Sequence, residues 1–156
     1  MNKFISKKYF KNIAIITVIA MFFLADRLLK IVALKQLEPK VLLNQLFLFN
    51  FTKNYNISFS LPLNGPILNV LIILIILGLM FTIFKLILKE KSLTTNPLLL
   101  TFILFGAISN MTDRLKYGYV IDYLELKNFT VFNIADVMIS FGVLILIFKL
   151  TKSDKI

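Results

Sequence analysis

Between Ile67 and Leu88 the sequence is nearly pure Leu, Ile and Val. A helix crosses the hydrocarbon of a bilayer in about 20 apolar residues. A run of that length, apolar all round, has no stable place on the surface of a water-soluble domain. Three more segments are of membrane-spanning length. The first runs from about Ile13 to Leu34 and is interrupted by Asp26, Arg27 and Lys30. Another begins at Pro97, with Asn96 as its expected N-cap, and ends near Arg114. The last extends from about Val131 to Leu150. The expected fold is an all-α membrane protein, a four-transmembrane-helix bundle forming a single domain over residues 1–156.

Composition agrees. The chain is 58% hydrophobic, and its mean hydropathy is +0.85. Its length leaves room for one small bundle and no second domain. Met1 to Ala25 has the basic start and apolar core of a secretory signal. It lacks a small-x-small cleavage site and Asp26 follows at once, so we expect a retained first helix. Cysteine and histidine are both absent. That excludes disulfides, thiolate catalysis, Ser-His-Asp chemistry and metal sites built on Cys or His. No cofactor is expected.

The net charge of +10 does not point to nucleic acid. Lysines gather at helix ends, as the positive-inside rule expects of a membrane protein. Lys3, Lys7, Lys8 and Lys11 precede the first span. Lys85, Lys89 and Lys91 surround the short second connection, and Lys149, Lys152 and Lys155 close the chain. Lys35, Lys40, Lys53, Arg114, Lys116 and Lys127 are spread over the two longer loops. Both termini are therefore expected in the cytoplasm, with loops 35–66 and 115–130 facing outward. The first of these loops contains Leu46 to Thr52, rich in strand-forming aromatics, with Val41 to Leu43 as a neighbour. A small extracytoplasmic β-sheet element is expected there, followed by a turn at Leu63-Asn64-Gly65-Pro66.

Polar residues within apolar helices are costly and need a reason. Asp26 and Lys30 share one face of the first helix and suit an ion pair, while Arg27 points elsewhere, toward the interface. Asn110 and Asp113 share a face near the outer end of the third helix, with Arg114 adjoining. Asn133 and Asp136 repeat that spacing at the outer end of the fourth. On this topology all these groups lie at one membrane depth. Asp122, in a loop between apolar Ile121 and Tyr123, is free to approach Asp136. Glu38 and Glu125 read as solvated loop acids.

Without His or Cys, paired carboxylates are the natural acid-base machinery. Two carboxyls held close cannot both ionise cheaply, so they share a proton and titrate as a pair. The charged member polarises a water; the neutral member donates to a scissile carbonyl oxygen. Three other readings remain open at this level. One is a proton-relay or transport protein, another a scaffold whose polar groups glue helices together, and the third a metal site of Asp113, Asp122 and Asp136.

The chain resembles the lipoprotein signal peptidases (signal peptidase II), membrane aspartic endopeptidases of bacteria, over nearly its whole length. The matching pieces are Asp26-Arg27-Leu28-Leu29-Lys30 and Asn54-Tyr55-Asn56-Ile57-Ser58-Phe59. Gly106 to Arg114 follows, continuing through Gly118 and Val120 to Asp122, and then Phe132-Asn133-Ile134-Ala135-Asp136. The resemblance implies a catalytic dyad of Asp122 and Asp136. It implies that Asn54, Asn110, Arg114 and Asn133 line or shape the substrate site, with Asp26, Lys30 and Asp113 in support. The implied substrate is a prolipoprotein with a diacylglyceryl group on its cysteine, cut just before that cysteine. Inhibition by globomycin, a site near the outer face of the bacterial cytoplasmic (inner) membrane, and contact with membrane lipid are implied too. We expect a monomer, because one chain holds the whole set. Asn56, Phe105 and Ser109 stand where the family often has glycine, and the interval from Asp122 to Asp136 is short.

Overall fold

The computed structural model describes residues 3–36, 38–43, 46–56, 65–90, 95–127 and 129–153. Ile57, Ser58 and Phe59, the first half of the expected turn at Leu63 and Asn64, and Lys91 and Lys155 lie outside them. Among the described residues are four helices and four strands. Helix α1 is Lys3–Leu34, α2 Gly65–Glu90, α3 Thr95–Tyr117 and α4 Ile134–Ser153. Strands β1 (Lys40–Leu43) and β2 (Phe47–Asn54) follow α1, and β3 (Val120–Leu126) and β4 (Thr130–Phe132) follow α3, in the order α1-β1-β2-α2-α3-β3-β4-α4.

The helices leave long apolar surfaces uncovered. Ile67, Leu74 and Phe84 on α2 are each more than half exposed, as are Met21 on α1 and Phe148 on α4. Surfaces of that kind are stable only against lipid or protein. Among the described residues two helices, Gly65–Lys89 and Asn96–Tyr117, are long and apolar enough to cross a membrane. Helix α2 enters through Gly65, whose φ of 77° suits the expected turn, with Pro66 in its first turn. Helix α3 begins at Thr95, earlier than expected. Asn96 does not cap it; its side-chain Oδ1 accepts from Lys149 Nζ at 2.8 Å.

The sheet is larger than the sequence suggested, so the fold is mostly helical and not all-α. Its order is β1-β2-β3-β4, every pair antiparallel. The expected pairing of residues 41–43 with the following aromatic strand is present, though β2 continues to Asn54. The second hairpin corrects the reading of 115–130 as a loop and of Asp122 as a loop residue. Val120 to Tyr123 are buried in β3, where β-branched and aromatic side chains favour a strand. Likewise, Val131 does not open the last helix. Residues Thr130–Phe132 form β4, and the helix starts after Asn133. Beneath the sheet, Phe49, Ile121 and Tyr123 pack on Ala33 at the end of α1.

Helices α3 and α4 approach closely at Gly106. A Cβ there would lie 2.7 Å from the Ala135 carbonyl oxygen and 2.9 Å from Ile139 Cγ1. In an open helix Gly→Ala stabilises by about 1 kcal/mol. Here the contact atom is backbone, so the helices must separate. Gly106→Ala is expected to lower the melting midpoint by about 5 °C, against the helix-propensity trend. Gly78→Ala on α2, where a Cβ would meet nothing within 4 Å, is expected to leave it unchanged or raise it. Thermal unfolding in detergent checks both.

Candidate active site

The short interval between Asp122 and Asp136 is what brings them together. Strands β3 and β4 form a tight antiparallel hairpin with Leu124 opposite Phe132. Extending that register carries the start of α4 back beside Asp122. Asn133 then caps α4. Its Oδ1 accepts the Asp136 backbone N–H at 2.9 Å, and its own N–H donates to Asp136 Oδ2 at 3.2 Å. This is a capping box with Asn and Asp in the usual Ser/Thr and Glu places. The same Asn133 donates from Nδ2 to Asp122 Oδ1 at 2.6 Å. Through its side chain and its backbone N–H, Asn133 thus ties both carboxylates.

Asn54 arrives from β2. A bulge between Phe49 and Thr52 shifts the β2–β3 register, so that Thr52 stands opposite Asp122. Side chains alternate between faces, so an unbroken register would turn Phe51 and Lys53 toward Asp122. The extra residue puts Thr52 and Asn54 on that face, and Asn54 Nδ2 donates to Asp122 Oδ2 at 2.9 Å. On the other carboxylate, Asn110 Nδ2 of α3 donates to Asp136 Oδ1 at 2.8 Å. Each of the four carboxylate oxygens therefore accepts one N–H.

Behind these groups lies a buried ionic layer. Lys30 Nζ meets Asp26 Oδ2 at 3.1 Å and Asp113 Oδ2 at 2.7 Å, all three side chains fully buried. It also donates to Asn110 Oδ1 at 2.7 Å. Asp26 further accepts from Ser109 Oγ at 2.6 Å, from the Tyr123 hydroxyl at 2.9 Å and from the Ala135 N–H at 3.2 Å. It thereby joins α1 to α3, β3 and the first turn of α4.

Arg27 does not reach for the interface. Its guanidinium pairs with Asp113 Oδ1 at 2.6 Å and donates to the Ser109 carbonyl at 3.2 Å. Asp113 accordingly draws its cations from α1 and not from its neighbour Arg114. Adjacent helical residues point about 100° apart. Arg114 instead donates to the carbonyls of Tyr55 at 3.3 Å and Asn56 at 2.6 Å, holding the segment that follows Asn54.

Sequence reasoning missed Arg27, Ser109 and Tyr123 as supports. The hydroxyl of Tyr123, one residue from Asp122, was the available signal for the last. Two of the glycine departures are absorbed by new contacts. Ser109 serves Asp26, and Phe105 packs edge-on against Phe23 at 5.4 Å between ring centres. Asn56 donates its backbone N–H to Asn54 Oδ1 at 3.0 Å. Glu125 is half-buried in β3 and accepts from Asn50 at 2.6 Å, so it is no loop acid; Glu38 is exposed.

Asp122 and Asp136 both line a cavity of about 700 Å³. Thr52 to Asn56 line its polar end. The residues of the aromatic strand before Thr52 do not line it. The other end runs along Val137, Phe141 and Leu144 of α4, where Phe141 and Leu144 are more than half exposed. Among the described residues no group of three or more acidic, His or Cys side chains is placed to hold a metal.

Burial raises the Asp122 carboxyl from 3.8 to about 7, and the Asp136 charge adds to the rise. Hydrogen bonds from Asn54 and Asn133 and the charge of Lys30 oppose it. Between those values the folded protein holds a proton that the unfolded chain has lost. The stability from this group is complete below about 3.8 and is lost as pH rises through about 7. The melting midpoint should fall between pH 5 and pH 8, by the equivalent of a few kcal/mol at most. Asp122→Asn should flatten that slope; melting curves at the two pH values check it.

Residues 18–152 match the family model described as Signal peptidase (SPase) II. The chain is 31% identical to the lipoprotein signal peptidase of Clostridium tetani (strain Massachusetts / E88), over 89% of this chain and 93% of that protein. It is 30% identical to that of Streptococcus agalactiae serotype V, over 90% and 94%. Among solved structures it superposes on a bacterial membrane enzyme with a TM-score of 0.77 at 18% identity, covering 90% of this chain and 89% of the other. A second bacterial membrane enzyme gives 0.71, also at 18% identity, covering 88% and 92%.

Proposed function

The chain belongs to the signal peptidase II family, proteases of lipoprotein processing, and we propose that Asp122 and Asp136 form its catalytic dyad. The observation that carries this reading is the convergence of the two carboxylates on one cavity, each oxygen already holding one N–H donor. The charge balance supports it. Asp26, Asp113, Asp122 and Asp136 face Arg27, Lys30 and Arg114 in one cluster, four carboxylates against three cations. One negative charge remains, and a single proton shared by the dyad removes it.

In that state the ionised member takes a proton from a water as its oxygen attacks the scissile carbonyl. The neutral member donates its proton to the carbonyl oxygen, giving a tetrahedral gem-diol. Collapse breaks the C–N bond, with a proton delivered to the leaving amine and another returned to the dyad. The N–H donors hold both carboxyls in place throughout.

The substrate is a prolipoprotein whose cysteine carries a diacylglyceryl group, cut on the N-terminal side of that cysteine. Two features support it. The cavity is polar at the dyad and apolar along α4, and the exposed faces of Phe141 and Leu144 open toward where acyl chains lie. The proposed setting is the bacterial cytoplasmic membrane, with α1 to α4 all spanning it, both termini cytoplasmic and the site near the outer face. The lysine distribution supports that orientation. A monomer suffices, since every group named above comes from one chain.

Purified protein mixed with a diacylglyceryl-modified prolipoprotein should release its signal peptide. Asp122→Asn and Asp136→Asn should each lower the rate by at least about 10³-fold while circular dichroism stays native. Full activity in either variant would contradict the dyad.

A further inference from the structure

The three asparagines around the dyad are locked in one sense. An Asn amide turned by 180° exchanges its donor for its acceptor, so its orientation depends on what holds the other end. Asn133 Oδ1 accepts the Asp136 backbone N–H, and Asn54 Oδ1 accepts the Asn56 backbone N–H. A backbone N–H can only donate, so both amides must present NH2 to Asp122. Among the described residues Asn110 has no such backbone partner. Its Oδ1 accepts from Lys30 Nζ at 2.7 Å, and its NH2 faces Asp136 at 2.8 Å.

We propose that Lys30 is a positioning residue for the reaction, acting through Asn110 to keep an N–H donor on Asp136. The proposal rests on the dyad reading above. An ammonium has three donors and no acceptor, and each donor here has a partner: Asp26, Asp113 and Asn110. With the ammonium gone, the Asn110 amide is free to turn. Its oxygen would then face Asp136 and favour the protonated acid, displacing the shared proton from the arrangement the reaction uses. A purely structural role for Lys30 would end at the two aspartates and would not depend on Asn110.

A double-mutant cycle separates these roles. Lys30→Met and Asn110→Ala are measured alone and together, by kcat, KM and melting midpoint, on a diacylglyceryl-modified prolipoprotein. Removing Lys30 leaves two buried carboxylates short of a cation. Lys30→Met/Asp113→Asn, which keeps the charge balance, is therefore measured alongside, with and without Asn110→Ala. A hydrogen bond to a charged group predicts a loss in kcat of about 30-fold for each single change, with KM within about threefold. The combined variant should lose no more than about threefold beyond the larger single loss. A combined loss near the product of the two, an effect on KM alone, or failure of both Lys30 variants to fold would overturn the proposal. Asp136→Asn run in parallel distinguishes the levels. Activity there removes the dyad and this proposal with it. An inactive Asp136→Asn with an additive cycle removes the Lys30 assignment alone.

Discussion

The ammonium of Lys30 is wholly buried, and its three donors end on Asp26, Asp113 and Asn110. A charge taken out of water costs several kcal/mol unless its partners replace the lost solvation, and removing one partner of such a pair costs about 3–5 kcal/mol. This cluster therefore admits few alternatives. Asp26 is committed to α3 through Ser109, to β3 through Tyr123 and to the first turn of α4 through Ala135. Asp113 ties α3 to α1 through Arg27 and Lys30, and also accepts the Ile121 N–H at 3.3 Å. The ionic layer thus fixes both β3 and the start of α4, the two elements that carry the candidate acids.

From that base the site follows by short steps. The β3–β4 hairpin and the Asn133 cap set Asp136 beside Asp122, and the bulge in β2 turns Asn54 to meet them. The close approach at Gly106 lets α3 bring Asn110 to Asp136. A carboxylate pair of this kind gains from a rigid, dry surround, because the coupling of two charges weakens where water can enter. The cavity is lined by polar residues around the dyad and by Val137, Phe141 and Leu144 along α4. That division suits a bond at the edge of the membrane whose flanking groups are held in lipid.

Much of this was legible in the residues. Apolar run lengths gave the four helices, and the Asn-x-x-Asp repeats at Asn110 and Asn133 marked the end of the bundle where polar groups meet. The second hairpin was hidden because 115–130 is short and bracketed by apolar helices. Its β-branched content was outweighed by the expected topology. The Asn133-Asp136 capping signature was on view, yet β4 was absorbed into the apolar run that follows it. Arg27 was expected at the interface because it does not share the face of Asp26 and Lys30, whereas its partner Asp113 lies across on α3, where spacing along α1 gives no signal. The β2 bulge that orients Asn54 has no signature in residue type, since it arises from how two strands pair.

The central claim is that the fold holds Asp122 and Asp136 so that they share one proton at neutral pH. Carboxyl carbons of the five aspartates, labelled with ¹³C and followed by NMR in detergent through pH 3 to 9, test it directly. One resonance, absent in Asp122→Asn, is predicted to titrate with a midpoint near 7. An Asp122 resonance already ionised at pH 5 would contradict the account.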